Sequence, residues 1–171
     1  MLLKEEKIKE YKNFLPNDIF KTLKDTMMGD NFPWYFNDTV VSKADAKKKT
    51  HFQFTFTFIK DGEEKCWGEW IDIMKPVLKH IKHKKMNRVK ANLLWRDCKI
   101  TEHSMHVDQE VENGKTAVLY INTCNGYTKF KNGKKIKSER NKCVEFDSKL
   151  KHTGSSCTNK DRRVTLNINY I

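Results

Sequence analysis

Three side chains in this sequence have the types and spacing to hold a metal ion. In His106-Val107-Asp108 an imidazole and a carboxylate stand two positions apart. Side chains two apart on a β-strand point to the same face, so this pair can aim at one point. A second histidine would complete a two-histidine, one-carboxylate face. That set suits Fe(II) and leaves coordination positions open for a substrate and O2. Downstream, His152 in Leu150-Lys151-His152-Thr153 is the best candidate. His103 precedes His106 by three, which on a strand turns it to the opposite face and out of the ligand set. Alone, His-X-Asp carries little information; its weight here comes from the residues downstream of it and their order.

The elements that must position these residues are mostly strands. Short β-patterns cover 88–95, 99–108, 116–123, 126–131, 143–146, 150–152 and 163–171. Asn113-Gly114, Asn125-Gly126 and Asn132-Gly133 between them are hairpin turn signals. Ahead of these, His51-Phe52-Gln53-Phe54-Thr55-Phe56-Thr57-Phe58 alternates without a break, a half-buried strand turned at Asp61-Gly62. Helical spacing appears in three places. Leu3, Ile8, Tyr11 and Leu15 give an irregular apolar face closed by Pro16. Ile19, Phe20, Leu23 and Met27 form the buried side of a helix starting at Asn17 or Asp18 and stopping at Gly29. Trp67, Trp70, Ile71, Met74, Leu78 and Ile81 predict a covering helix that runs to about Lys84, with Pro76 in its first turn. Between them, Phe32 to Phe36 reads as an extended, anchored loop and Lys47-Lys48-Lys49 as a solvated turn. His80 and His83 sit among lysines and read as solvated. The class is α+β, mainly β: a double-sheet jelly roll with N-terminal and covering helices.

Composition bounds the rest. With 171 residues the chain has room for a single domain, 1–171, and one core. No apolar run reaches membrane-spanning length, and no membrane association is expected. The five scattered cysteines include no CxxC pair, which argues against zinc and for reduced thiols in a cytoplasm. A net charge of +12 suggests an anionic partner such as nucleic acid, yet only five of the 34 cationic residues are arginine. Lysines spread along the chain fit a solubilising surface better. A monomer is expected.

The last strand separates two faces. Val164, Leu166, Ile168 and Tyr170 make an apolar side suited to packing under the helices; Arg163, Thr165, Asn167 and Asn169 make a polar one. A polar face turned into a small barrel is costly unless something polar fills the barrel. In 117–122, Tyr120 and Asn122 likewise share one side. A cofactor-filled interior accounts for both strands.

The order His106-Val107-Asp108, Leu119-Tyr120-Ile121-Asn122, Gly126-Tyr127-Thr128-Lys129-Phe130, His152, Arg163-Val164-Thr165 resembles the 2-oxoglutarate and Fe(II)-dependent oxygenases. Within them it is most similar to the prolyl 4-hydroxylase-like branch, including small forms carried on bacteriophage genomes; for such a chain the compartment would be the host cytoplasm. The likeness covers 90–171, and the separations of 46 from His106 to His152 and 11 from there to Arg163 are ordinary for the family. It implies a double-stranded β-helix core, with Fe(II) held by His106, Asp108 and His152, and 2-oxoglutarate and O2 as cosubstrates. Arg163 would take the far carboxylate of 2-oxoglutarate, because a guanidinium fork binds a carboxylate bidentately. Arg162, on the apolar side, ranks behind it. Thr165 and Tyr120 would add hydroxyl contacts, and Asn92 and Asn122 would line the pocket. The implied reaction is hydroxylation of a C–H bond, foremost of prolyl side chains in a protein or peptide, with succinate and CO2 as coproducts. The alternatives are the same chemistry on nucleic acid bases and a non-catalytic basic jelly-roll binding module. One departure falls on the substrate side: where family members often carry an arginine soon after an asparagine, this chain has Asn141-Lys142-Cys143.

Overall fold

In a computed structural model, which describes residues 8–41 and 52–171, two antiparallel sheets face each other. Among the described residues the larger sheet has eight strands. Seven of them run in the order β1 (Lys9–Tyr11), β9 (Lys142–Asp147), β6 (Lys115–Tyr120), β11 (Arg162–Tyr170), β5 (Met86–Trp95), β3 (Gln53–Lys60) and β2 (Tyr35–Asn37). β4 (Glu63–Glu64) joins β3 off this path. The smaller sheet is β10 (His152–Gly154), β7 (Tyr127–Phe130) and β8 (Lys135–Lys137). Helix α1 spans Asn17–Met28, and the short helices α2 (Glu69–Asp72) and α3 (Met74–His80) follow β4. The result is the expected mainly β jelly roll with covering helices.

The alternation of β11 sets the layers. Val164, Leu166 and Ile168 are wholly buried in the main core, together with Phe20, Leu23 and Met27 of α1 and Met74 and Val77 of α3. Burying apolar surface at roughly 25 cal/mol per Å² makes this face the main source of stability. A smaller core, with Tyr120, Phe130, Val144 and Phe146, fills the space between the sheets at one end. No described helix is long and apolar enough to cross a membrane. The cysteines are free thiols, Cys98 alone exposed.

Several elements depart from the sequence reading. The segment 9–11, expected to be helical, is an edge strand pairing Lys9, Glu10 and Tyr11 with Glu145, Val144 and Cys143. Its apolar spacing was too irregular to compete with the open backbone groups of β9, and Asn13 then takes a left-handed conformation (φ 49°) that ends any helix. Leu3 lies outside the described residues, as do Lys47-Lys48-Lys49 and His51. α1 begins where expected, but the extended Pro16 flanks it and no side chain caps it. The Phe32–Phe36 segment anchors through Phe32, 5% exposed, and its end pairs as β2. In place of one covering helix there are two short ones, and Trp67 is 83% exposed rather than on their buried face.

Two further differences bear on the site. Residues 99–108 are not a strand but an extended segment touching the smaller sheet at isolated bridges, Glu102 to Ser155 and His106 to His152. Asn125-Gly126 closes no hairpin; it carries the chain from the larger sheet to the smaller one, between β6 and β7.

Candidate active site

A cavity of about 260 Å³ opens between the sheets. Its walls include Arg88, Lys90, Asn92, His106, Asp108, His152, Arg163, Thr165 and Asn167. β5 and β11 supply one wall because both present every second residue to it, with Asn92 opposite Thr165 and Lys90 opposite Asn167.

Three potential ligands converge at one end. His106, Asp108 and His152 each offer an atom such that all three atoms lie within 4.8 Å of one another. His106 Nε2 is 3.8 Å from Asp108 Oδ1, and His152 Nε2 is 3.6 Å from Asp108 Oδ2. The two imidazoles are oriented by the backbone. His106 Nδ1 lies 3.2 Å from the Ser104 carbonyl and His152 Nδ1 2.9 Å from that of Leu150. A carbonyl can only accept, so each Nδ1 carries a hydrogen, and Nε2 is the ring atom that each imidazole turns toward Asp108. Burial and the neighbouring His152 hold the His106 imidazole below its ordinary pKa against the pull of Asp108. For Asp108, burial pushes the carboxyl up, but His152, Arg88, His106 and the Thr116 hydroxyl outweigh it and hold it below its usual value. A neutral imidazole and an ionised carboxylate are the forms that ligate a divalent cation.

Asp108 is fixed from behind. Its side chain is 2% exposed and accepts from Arg88 Nη2 at 3.1 Å, Thr116 Oγ1 at 2.9 Å and Asn167 Nδ2 at 3.3 Å. Asn169, on the same strand face, braces both Arg88 and Thr116. The polar side of β11 therefore divides its work: Asn167 and Asn169 hold the aspartate, and Arg163 and Thr165 line the far end.

Arg163 is 4% exposed, with Nε donating to Ser138 Oγ at 2.7 Å and its guanidinium 5.5 Å from the centre of the Tyr120 ring. Its remaining contacts are long, 3.4 Å to the Ser155 carbonyl and to Thr128 Oγ1. No carboxylate among the described residues pairs with it. A buried cation without a carboxylate partner is costly, so this end of the cavity suits an anion. Arg162 lies on the opposite side, donating from Nη2 to the Met28 carbonyl at the end of α1.

Two expected cosubstrate contacts have other work. The Tyr120 hydroxyl, fully buried, donates within the smaller core toward Thr128 Oγ1 (2.8 Å), and burial raises its pKa to about 12. Tyr120 thus backs the guanidinium through its ring instead of lining the cavity. Asn122 lies just past the end of β6 and clips β11, donating to the Arg162 carbonyl and accepting from Val164 N–H. Thr165 and Asn92 do line the cavity, and so does His103, which turns inward because 99–108 is not a regular strand. Asn141 and Lys142 serve the N-terminal segment: Asn141 accepts from and donates to the backbone of Leu15, and Lys142 reaches Glu139 and Glu10.

Arg88, Lys90, Thr128 and Ser138 were missed from sequence. For Arg88 and Lys90 the signal was present, since they alternate with Asn92 along one strand. Gly126 was misread. A Cβ there would stand 2.6 Å from Arg163 Cδ and 2.7 Å from the Ser156 carbonyl, so glycine is needed to let the arginine pass, not to make a turn.

The fold is that of the 2-oxoglutarate/Fe(II) oxygenases. Neither a family model nor a curated protein sequence matches the chain. Among solved structures it is similar to a Pseudomonas putida prolyl-4-hydroxylase, with a TM-score of 0.61 and 13% identity over 97% of this chain and 93% of the other. A prolyl hydroxylase from Trichoplax adhaerens, in complex with a hypoxia-inducible-factor oxygen-degradation-domain peptide, matches at TM-score 0.63 and 13% identity, covering 97% and 84%. SnoN, a non-haem α-ketoglutarate-dependent epimerase of nogalamycin biosynthesis, matches at 0.66 and 9% identity, covering 97% and 78%; it is also solved with Fe3+ and α-ketoglutarate.

Proposed function

We propose that this protein is a non-haem Fe(II), 2-oxoglutarate-dependent dioxygenase that hydroxylates a C–H bond, foremost of prolyl or similar side chains in a protein or peptide. The observation that carries the reading is the pairing, in one cavity, of the His106, Asp108 and His152 group with a buried Arg163 that no described carboxylate neutralises. A non-catalytic binding module has no use for both. The resident metal and cosubstrate would supply the oxidising chemistry, in which 2-oxoglutarate, O2 and a C–H bond give succinate, CO2 and C–OH.

The chain's own part is binding and orientation. His106 and His152 present Nε2, fixed by the carbonyls behind Nδ1; Asp108 is locked by Arg88, Thr116 and Asn167. Arg163 takes the far carboxylate of 2-oxoglutarate, with Thr165 and Asn92 beside it on the wall. Leu94, Val107 and Val118 add apolar side chains to a wall that is otherwise largely polar.

The peptide reading is supported by the two prolyl hydroxylases among the similar folds; the nucleic-acid reading by the net charge of +12. The test is turnover with Fe(II) and 2-oxoglutarate against panels of proline-containing peptides and single-stranded nucleic acids, reading succinate formation and mass gain of one oxygen atom. Peptide hydroxylation with shallow salt dependence is expected. Log affinity falling with log salt at roughly −0.7 per phosphate contact, with no turnover on peptides, would select nucleic acid instead.

A further inference from the structure

β5 sends three alternate residues, Arg88, Lys90 and Asn92, along the cavity wall. Arg88 is compensated by Asp108 at 3.1 Å. Lys90 is not: no carboxylate among the described residues forms an ion pair with it, and its neighbours across both flanking strands, Thr57 and Asn167, are neutral. Among the described residues three cations, Arg88, Lys90 and Arg163, thus share the cavity with one carboxylate, that of Asp108. A divalent metal and the dianionic cosubstrate cancel each other in net charge, so loading the site leaves this excess untouched. Arg163 would be matched by the cosubstrate's far carboxylate, and Lys90 would still face the cavity alone.

We propose, on the oxygenase reading of this cavity, that Lys90 binds an anionic group, a carboxylate or a phosphate, on the molecule to be oxidised. The substrate is then not a neutral side chain in a neutral surround; it carries a negative charge close to the reacting carbon. That charge can be a free acid or an acidic or phosphorylated residue beside the one hydroxylated. Desolvation, reinforced by the Arg88 guanidinium, lowers the Lys90 ammonium to about 8 despite the distant pull of Asp108, the sign of a cation held without its partner.

The experiment loads the full chain with Mn(II), which does not activate O2, and 2-oxoglutarate, then adds inorganic phosphate or acetate and follows broadening of their NMR lines by the metal. Wild type should broaden at least one of the two anions saturably, and the preference tells phosphate from carboxylate. Lys90→Met should weaken that binding by about thirtyfold or more, as expected for removing one partner of a buried charge pair. Lys90→Arg should stay close to wild type. Mn(II) and 2-oxoglutarate affinities should be the same in all three proteins. Equal anion binding in wild type and Lys90→Met, or none in wild type, overturns the proposal. So does a loss of 2-oxoglutarate affinity in Lys90→Met, which would make the lysine the cosubstrate's partner. A wild-type protein that takes up neither Mn(II) nor 2-oxoglutarate overturns the oxygenase reading itself.

Discussion

Replacing Arg163 by methionine separates the cost of a buried charge from its use. In the free protein the guanidinium is 4% exposed and has one short hydrogen bond, 2.7 Å to Ser138, two long ones of 3.4 Å, and no described carboxylate. Removing an uncompensated buried cation in favour of an apolar chain of similar length is often neutral or stabilising. Arg163→Met should therefore melt at or near the wild-type temperature. Its affinity for 2-oxoglutarate should collapse, because truncating one partner of a desolvated charge pair costs about 2–5 kcal/mol, or between about thirtyfold and several thousandfold in Kd. Arg162→Met should do the reverse. It loses the bond to the Met28 carbonyl that closes α1, a favourable contact of about 0.3–1 kcal/mol at a helix C-terminus, and keeps cosubstrate affinity. Calorimetric titration of the metal-loaded protein with 2-oxoglutarate, beside thermal melts, reads both quantities. A larger affinity loss in Arg162→Met than in Arg163→Met would refute the assignment of the two faces of β11.

The metal group gives an asymmetric expectation. His106→Ala and His152→Ala should both lose Fe(II) by elemental analysis while His103→Ala keeps it. Only His152→Ala should also melt early, by about 1–3 kcal/mol, because His152 packs 4.7 Å from the Phe146 ring in the smaller core; full metal content in both variants would dissolve the triad. Gly126→Ala should fold yet bind 2-oxoglutarate more weakly, since its Cβ would press within 2.6 Å of Arg163 Cδ, and unchanged affinity would show that the arginine can reroute. Asn122→Ala should lower stability by about 1 kcal/mol for each of its two lost hydrogen bonds, with no effect on cosubstrate affinity; a binding loss at unchanged stability would return Asn122 to the pocket wall.

Much of the site was legible because β11 is a long strand with strict alternation. One register decision on Arg163 assigned every polar residue to the cavity side and every apolar one to the core. His106, Asp108 and His152, which the structure brings together, were legible for a different reason: the order of the motifs downstream singled them out even though the expected element was wrong. The isolated bridge of His106 with His152 replaces the strand that was expected to align them. Misreadings cluster where tertiary contacts overrode a weak local pattern. The segment 9–11 became a strand because β9 offered an edge, and Asn125-Gly126 carried a turn signal where a passage was needed. Tyr120 and Asn122 were given their roles by the family resemblance and a shared strand face, neither of which distinguishes a side chain aimed at a ligand from one satisfied within the protein.

The division into two cores implies that this site can be altered without dismantling the fold. The helices α1 and α3 stabilise the larger sheet from its outer face, through Val164, Leu166 and Ile168, and none of the proposed ligands belongs to that core. Beyond the smaller core at one end, the inner face carries polar and charged groups whose balance is incomplete among the described residues: Asp108 is held by three donors, whereas Arg163 and Lys90 have no carboxylate partner. An aspartate fixed this firmly cannot swing to meet either cation, so no carboxylate among the described residues answers the positive excess. On this argument the free protein tolerates the two cations for binding and gains no stability from them. Removing both, in a Lys90→Met, Arg163→Met double variant, should leave the melting temperature of the free protein at or above that of wild type. Adding 2-oxoglutarate to the Mn(II)-loaded proteins should then raise the wild-type melting temperature, by about 2.7 kcal/mol of linkage at a hundredfold excess over Kd, and leave the double variant unmoved. A double variant that melts well below wild type without ligands would mean that the chain already balances these charges from within.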